Sequence, residues 1–403
     1  MGAGPVGGTL ACRLAAAGVT VALIDKAALP PMENPAFDGR AYAIAAGSRV
    51  FLEDAGLWNV LNVPPNPIKD IRVTDGRIGR AASRLHLHFD HREAGDDPRP
   101  FGWMVEARSL RKALNARFPA QDKLHLFASA EANVERSDDG CVVRLGNGSI
   151  IRCRLVIAAE GRNSPLREHA GIQVTRIPYH QTAIVCAIAH ERPHHDVALE
   201  HFLPAGPFAA LPMGPSADVE PGGAEHVSAI VWTERTKDAP FFLALDDKRF
   251  AREAGRRLGA QLGAIRAVGS RWSYNLSAMI AHRYVDRRLA LAGDAAHGIH
   301  PIAGQGLNLG FRDGIALAEL IITAIQTGED VGGDALLERY QRVRQSDNLL
   351  MFAMTDGLDR LFSTDRRAVR IARDLGINAV NSLGPIKRGF MRQAMGIVDT
   401  QHL

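Results

Sequence analysis

Gly2-Ala3-Gly4-Pro5-Val6-Gly7 begins the chain with a G-x-G-x-x-G pattern, and the residues after it admit few folds. An alanine-rich stretch from Val6 to Ala17 reads as a helix closed by Gly18. Thr20 to Ile24 reads as a strand ending in Asp25. Glycine turn, helix, strand and an acid about twenty residues on is the order of a dinucleotide-binding α/β unit. In that unit Gly2 permits the tight turn, Gly4 lets a pyrophosphate approach, Gly7 lets the helix pack closely, and Asp25 meets the adenosine ribose. The apolar strand expected in front of the first glycine is missing. Without it, neighbouring backbone groups would stay unpaired at a cost of several kcal/mol. We therefore expect a misassigned start, with Met1 at a position occupied by Val or Ile. An in-frame stop immediately upstream in the genomic DNA would contradict this.

A second segment, Arg288 to Gly314, reads RLALAGDAAHGIHPIAGQGLNLGFRDG. Leu289 to Ala292 suits a buried parallel strand. Gly293 and Asp294 stop it, and the small residues Ala295 and Ala296 let a flat ligand come close. Pro301 follows, and Gly304-Gln305-Gly306-Leu307-Asn308 starts a long apolar helix to about Ile325. A glycine-rich helix start offers free N–H groups and favours negative charge. A reduced flavin carries such charge along one edge of its ring. The segment thus looks suited to a flavin ring and its ribityl chain, which makes FAD the dinucleotide.

The chain has 403 residues, 46% hydrophobic and 23% charged, enough for one elaborated or two α/β domains. A formal charge of +4, with no basic run interleaved with aromatics, gives no sign of a nucleic-acid surface. Cys12, Cys141, Cys153 and Cys186 lack CxxC spacing and read as reduced, mostly buried thiols rather than disulfides or metal ligands. No apolar run is long enough to span a bilayer, and no signal peptide is recognisable.

Between the two segments the pattern alternates. Asp38 to Ile44 leads into a helix through Ser48 and Leu52, with Arg40 placed to meet a pyrophosphate or the flavin edge. Ile68 to Val73, Leu85 to Phe89 and Gly102 to Val105 read as antiparallel strands. His86, His88 and His91 read as an exposed polar strand region, so we expect no metal. Arg108 lies near the start of a helix and could contact a ligand. Arg154 to Arg167 is another strand and turn, with Glu160 and Gly161 at the strand's carboxyl end. Four alternating segments from Thr182 to Trp232 suggest an antiparallel floor for an organic substrate, with Phe208 at its edge. The chain ends in helices rich in arginine (Arg366, Arg367, Arg370, Arg373, Lys387, Arg388, Arg392), suited either to packing with a solvated basic face or to an anionic membrane surface.

Taken together, the motifs resemble the class A flavoprotein monooxygenases, and within them the ubiquinone-biosynthesis hydroxylases. The resemblance rests on Gly2-x-Gly4-x-x-Gly7 with Asp25, on Ala159-Glu160-Gly161-Arg162-x-Ser164, and on Gly293-Asp294-Ala295-Ala296-His297 through Pro301 to Asn308. The narrower branch rests on Asp38-x-Arg40-x-x-Ala43-Ile44, on Leu203-Pro204-x-Gly206-Pro207-Phe208, and on Lys387-Arg388-x-Phe390-Met391-Arg392-x-Ala394-Met395-Gly396. Glu160 stands where the family usually carries Asp, in a motif thought to serve both FAD and NAD(P)H.

The resemblance implies an α/β fold: a Rossmann-like FAD-binding domain, an inserted mostly antiparallel substrate sheet and a helical C-terminus. We place the FAD domain at 1–74, 106–174 and 286–340, the substrate domain at 75–105 and 175–285, and the helical region at 341–403. It also implies an FAD-dependent hydroxylase of a polyprenylated phenol, using NADPH or NADH and O2. Partners would be that quinone precursor, with other quinone-biosynthesis proteins and the inner membrane face as further candidates for a cytoplasmic protein. Gly2, Gly4, Gly7 and Asp25 would hold the ADP half of FAD; Arg40 and Arg108 the pyrophosphate and ribityl region. Asp294, Pro301, Gly304, Gly306, Leu307 and Asn308 would hold the flavin half. The catalytic residues are not legible; His297 and His300 are either proton relays or structural. Two alternatives stay open: another flavoenzyme of the same fold, such as a halogenase or prenyl reductase, and a flavin-free scaffold subunit. No Trp-x-Trp-x-Ile-Pro segment supports a halogenase.

Overall fold

The computed structural model describes residues 1–29, 37–76, 78, 86–94, 99–215, 225–300, 304–362 and 384–396. A parallel layer lies in two parts. Val21–Ile24 pairs in parallel with Leu124–Phe127, and Val156–Ala158 pairs in parallel with Leu289–Leu291. Met1 and Gly2 connect the two parts. The Met1 amino group donates to the Ile157 carbonyl at 2.9 Å, the Ala159 N–H donates to the Met1 carbonyl at 2.8 Å, and the Gly2 N–H donates to the Ile24 carbonyl at 2.8 Å.

The helix Pro5–Ala16 follows the glycine turn, with proline at its start, where a missing N–H costs nothing. It packs beside the 22-residue helix Gly306–Thr327, which ends on Gly328 at φ 76°. Leu10, Leu14, Phe51, Leu114, Phe118, Phe311 and Leu317 fill the core between these helices and the parallel layer.

A second, eight-stranded sheet stands against this layer. Its two longest strands, Val174–His190 and Ile265–Ala281, pair antiparallel with two register shifts. One face, with Ile184, Cys186, Ile188, Trp232 and Phe208, is covered by the helix Asp247–Leu258 and its Phe250. Its other face, with Ala187, Ala189, Ala198 and Ala229, looks toward Phe101 and Met104. Met104 belongs to a small sheet of Ala41–Ala45, Gly102–Glu106 and Asn66–Ile68, wedged between the large layers.

Several sequence expectations shift here. Residues 41–45 form a strand, not only a lead-in to a helix, because Gly102–Glu106 supplies a partner no local pattern reveals. Asp70–Asp75 pairs with Val197–Leu203 and His86–Asp90, so the large sheet takes residues assigned to the first domain up to 74. The boundary at 340/341 falls inside the continuous helix Asp334–Phe362. Phe208 lies not at the edge of a substrate floor but 1% exposed against Trp232, on the sheet face away from the parallel layer. Strand alternation dictates this, since Phe208 and Ala209 must point to opposite faces.

Met391 and Met395, at the C-terminal helix Gly384–Ala394 and just beyond it, turn into the core beside Met104. Lys387 pairs with Glu93 at 2.6 Å. The arginines at 366, 367, 370 and 373 lie outside the described residues. Among the described residues, no helix is long and apolar enough to cross a membrane.

Candidate functional site

The three glycines of the first turn have different surroundings. At Gly2, φ is 97° and a Cβ would lie 2.3 Å from the Ala159 carbonyl oxygen. At Gly7 a Cβ would lie 2.1 Å from the Gly2 carbonyl oxygen. At Gly4 no atom of the described residues lies within 4 Å of where a Cβ would be. Two glycines are therefore fixed by the chain's own packing, whereas the third, among the described residues, borders open space at the start of a helix that no side chain caps. Asp25 accepts the Ala3 N–H at 2.6 Å and the Ala27 N–H at 2.8 Å, which ties the turn to the strand end. A carboxylate has about four acceptor positions, so Asp25 retains capacity for a ribose hydroxyl.

The second segment meets the first through Val6. A Cβ on Gly293 would lie 3.2 Å from Val6 Cγ2, and one on Gly310 would lie 2.6 Å from it. The first turn of one helix thus rests in a groove made by glycines of the other motif, which brings both motifs to one place. Every described residue from Arg288 to His300 is buried except Asp294. Arg162 donates from Nε to Asp294 Oδ2 at 3.0 Å and from Nη1 to the Ser277 carbonyl. Among the described residues no side chain caps the helix beginning at Gly306, which leaves the N–H groups of Gly306, Leu307 and Asn308 outside the helix's own hydrogen-bond ladder. Asn308 uses its amide elsewhere: it accepts the Ala45 N–H at 2.8 Å and donates to the Ala43 carbonyl at 2.9 Å. This fixes the strand Ala41–Ala45 against the helix start, with Gly304 at φ 63° beside Ala43.

Beneath the segment lies a buried ionic network. Asp313 Oδ2 accepts the Gly293 N–H at 2.9 Å and lies 2.6 Å from His297 Nε2. Its Oδ1 accepts from Arg344 Nε at 2.8 Å and from Asn348 at 3.3 Å. Burial pushes the Asp313 carboxyl up, but His297 and Arg344 outweigh this and hold it down at about 2. His297 is therefore a structural partner of Asp313. His300 is fully buried, 3.1 Å from Gln181 Oε1, with Tyr179 edge-on to its ring.

The two proposed arginine contacts are placed differently. Arg40 pairs with Asp38 at 2.7 Å and stacks 4.3 Å over the Trp272 ring, at the junction of the small and large sheets. Arg108 is buried and pairs with Glu106 at 2.6 Å. One turn later on the same helix, Arg111 donates to the Ala3 carbonyl at 2.9 Å, inside the glycine turn. Sequence reading missed Arg111; its i+3 spacing from Arg108 was the available signal. Gly161 has φ 86°, and Glu160 accepts the Ser164 hydroxyl at 2.7 Å and the Leu166 N–H at 3.3 Å. The longer acid thus caps the short helix Pro165–His169. Glu160→Ala is expected to lower stability by about 1 kcal/mol, read as a lower thermal midpoint; an unchanged midpoint would deny Glu160 this capping role. Pro301 lies outside the described residues.

These features fit an FAD: an open cradle at Gly4, an acid at the adjoining strand end, one accessible carboxylate in a buried run, and a second uncapped helix start.

Comparison with known proteins agrees. The family described as FAD binding domain matches residues 1–348. The ubiquinone hydroxylase UbiL of Rhodospirillum rubrum is 48% identical over 397 residues, covering 98% of this chain and 88% of that protein. The 3-demethoxyubiquinol 3-hydroxylase of Escherichia coli is 31% identical over 401 residues, covering 98% and 97%. Among solved structures, p-nitrophenol 4-monooxygenase PnpA from Pseudomonas putida DLL-E4 superposes with a TM-score of 0.73 at 18% identity, covering 98% and 96%, a likeness of fold.

Proposed function

The chain belongs to the ubiquinone-biosynthesis branch of the FAD-dependent monooxygenases, and from that membership we propose that it hydroxylates the aromatic ring of a polyprenylated phenol, with NAD(P)H and O2 as co-substrates. The observation that carries this reading is the meeting of the two glycine motifs at Val6, beside the exposed Asp294. FAD, when bound, supplies the two-electron and O2 chemistry.

The chain's own residues bind and orient. Gly2 and Gly7 shape the turn, Gly4 leaves room for the pyrophosphate, and Asp25 receives the ribose. Arg111 is well placed to balance phosphate charge, more directly than Arg108, whose Nε is bonded to Glu106. Asp294 takes a ribityl hydroxyl, and the N–H groups of Gly306, Leu307 and Asn308 face the negative edge of the ring. Arg40 on Trp272 sits where the small sheet meets the substrate sheet, a position suited to ordering the ligand there. The apolar sheet face beyond it keeps water from the reacting ring. The helix Gly384–Ala394, with exposed Arg388 and Arg392, is a candidate contact for a membrane that delivers a prenylated substrate.

Asp294→Ala is expected to weaken flavin binding about 10- to 100-fold, the effect of one charge-assisted hydrogen bond. Flavin fluorescence titration of the apoprotein reads it, and unchanged affinity would remove Asp294 from the site. The pathway is tested by deleting the gene and identifying the accumulated quinone precursor by mass spectrometry. A precursor lacking one ring hydroxyl is expected; an unchanged quinone profile would contradict the proposal.

A further inference from the structure

The sheet face turned toward the flavin motifs is buried over much of its area, and its half-buried positions include two valines on central strands. In the strand Val174–His190, Val185 alone is half-buried among the buried residues 181–190. So is Val231 on the next strand, among the buried residues 227–234. The register sets Val185 opposite Val231, Val231 opposite Ala209, Ala209 opposite Glu200, and Glu200 opposite Val73. In the other direction Val185 lies opposite Trp272, over which Arg40 stacks. Residues directly opposite share a face. This is the face of Ala187, Ala198 and Ala229, which meets Met104 and not the helix Asp247–Leu258. Half-buried valines with buried neighbours along both central strands mark a recess. Four strand spacings separate Glu200 from Trp272, about 19 Å, room for an aromatic ring and the start of an isoprenoid tail.

Glu200 is the only acid in this row. Among the described residues, nothing gives its carboxyl a hydrogen bond or an ion pair. Burial alone raises the group to about 7. On the same face, Asp75 lies two residues beyond Val73, and Asp38, Arg40 and Tyr274 lie at the Trp272 end. Arg72, His88 and His201 project from the opposite face by strand alternation. Among the elements packed against this face, Glu106 is paired with Arg108 and Lys387 with Glu93, while Arg388 and Arg392 are exposed. An unpaired carboxylate in an apolar recess costs folding free energy, so such a group is a candidate for chemistry.

We propose that this row is the floor of the substrate pocket, and that the Glu200 carboxylate binds the phenolic hydroxyl and takes its proton as the ring is hydroxylated. The inference rests on the hydroxylase reading above and assigns that reaction a base. In the step, the phenol O–H bond breaks, the proton passes to a Glu200 oxygen, and the electron pair stays on the phenol oxygen, which enriches the ring for attack. Overall, phenol, O2, NAD(P)H and a proton give the ring-hydroxylated product, NAD(P)+ and water.

The probe is 2-prenylphenol, given to the flavin-loaded enzyme, to Glu200→Gln and to Val231→Phe. Wild-type kcat/KM is expected to rise with pH and level off above about 7, and Glu200→Gln to lose that limb and at least about 100-fold in kcat. 2-Prenylphenol should bind the oxidised wild type more tightly above pH 7 than below it, as the Glu200 carboxylate accepts the phenolic O–H, and Glu200→Gln equally at both, a readout independent of turnover. Val231→Phe should raise KM at least about tenfold while the flavin spectrum stays that of wild type. Glu200→Gln with the wild-type pH profile, and turnover within threefold, would overturn the role of Glu200. Val231→Phe with wild-type KM would overturn the pocket. Wild type that hydroxylates nothing would instead sink the underlying reading, so the failures are separable.

Discussion

Gly7→Ala is expected to cost about 3 kcal/mol or more and to abolish flavin retention, whereas Gly4→Ala leaves unfolding unchanged and loses only the flavin. The added methyl at Gly7 would lie 2.1 Å from the Gly2 carbonyl oxygen and 3.0 Å from Ala159 Cβ. Neither neighbour can yield easily. Gly2 is bonded to the Ile24 carbonyl, and Ala159 to the Met1 carbonyl. Overpacking against fixed backbone costs 1–3 kcal/mol, occasionally more, and the contact here is backbone rather than a flexible side chain. Gly4 differs in both respects: φ is −65° and ψ 179°, an ordinary extended conformation, and no atom of the described residues lies near the added methyl. Alanine there narrows the unfolded ensemble slightly and obstructs only an approaching phosphate. Urea unfolding of the two apoproteins, with flavin content on purification, separates the roles. Equal destabilisation by both changes would mean that the turn is not a cradle.

The second large effect belongs to Asp313→Asn. It removes the one carboxylate that serves the Gly293 N–H, His297, Arg344 and Asn348. Asparagine offers one acceptor oxygen where two are used, and Arg344, 1% exposed, loses its buried counter-charge, keeping Asp347 as an ion-pair partner and Asn348 as a neutral acceptor. Breaking a buried pair by removing one partner costs about 3–5 kcal/mol. The pH dependence follows from the carboxyl held at about 2 in the folded state. A depressed acid stabilises the fold above its unfolded value, about 3.9, and the stabilisation disappears as pH falls through the folded value. Wild type should therefore lose about 2 kcal/mol from this group between pH 4 and 2, and Asp313→Asn should lose none of it in that window. Parallel stability–pH curves for the two proteins would contradict the assignment.

Much of the cofactor half was readable because its signals are local. A glycine turn, an alanine-rich helix and a strand ending in Asp25 lie within the first 25 residues, and the tightest approach at Gly7 is to Gly2 inside that unit, although Gly2 itself abuts Ala159. The long helix opened by the run Gly304 to Asn308 was equally plain, and it forms from Gly306 to Thr327. What stayed hidden depends on contacts distant in sequence. Asp313 looked like one more polar residue of a helix until Arg344, 31 residues on, closed the pair. The strand Ala41–Ala45 needs Gly102–Glu106, and Arg111 needs the carbonyl of Ala3, 108 residues away. Phe208 was misplaced because an apolar strand with both faces buried carries no mark of which face is which. Glu200, inside the run Val197 to Leu203, had no visible meaning until the register put it in line with Val185 and Val231.

The central claim, that this chain uses a bound flavin to place an oxygen atom on a phenolic ring, is tested most directly with 18O2. Purified flavin-loaded protein, NADPH or NADH and 2-prenylphenol should give a product heavier by one 18O atom, with one NAD(P)H consumed per product formed. NAD(P)H oxidation without label in the aromatic product, or a product labelled only from 18O-water, would contradict it.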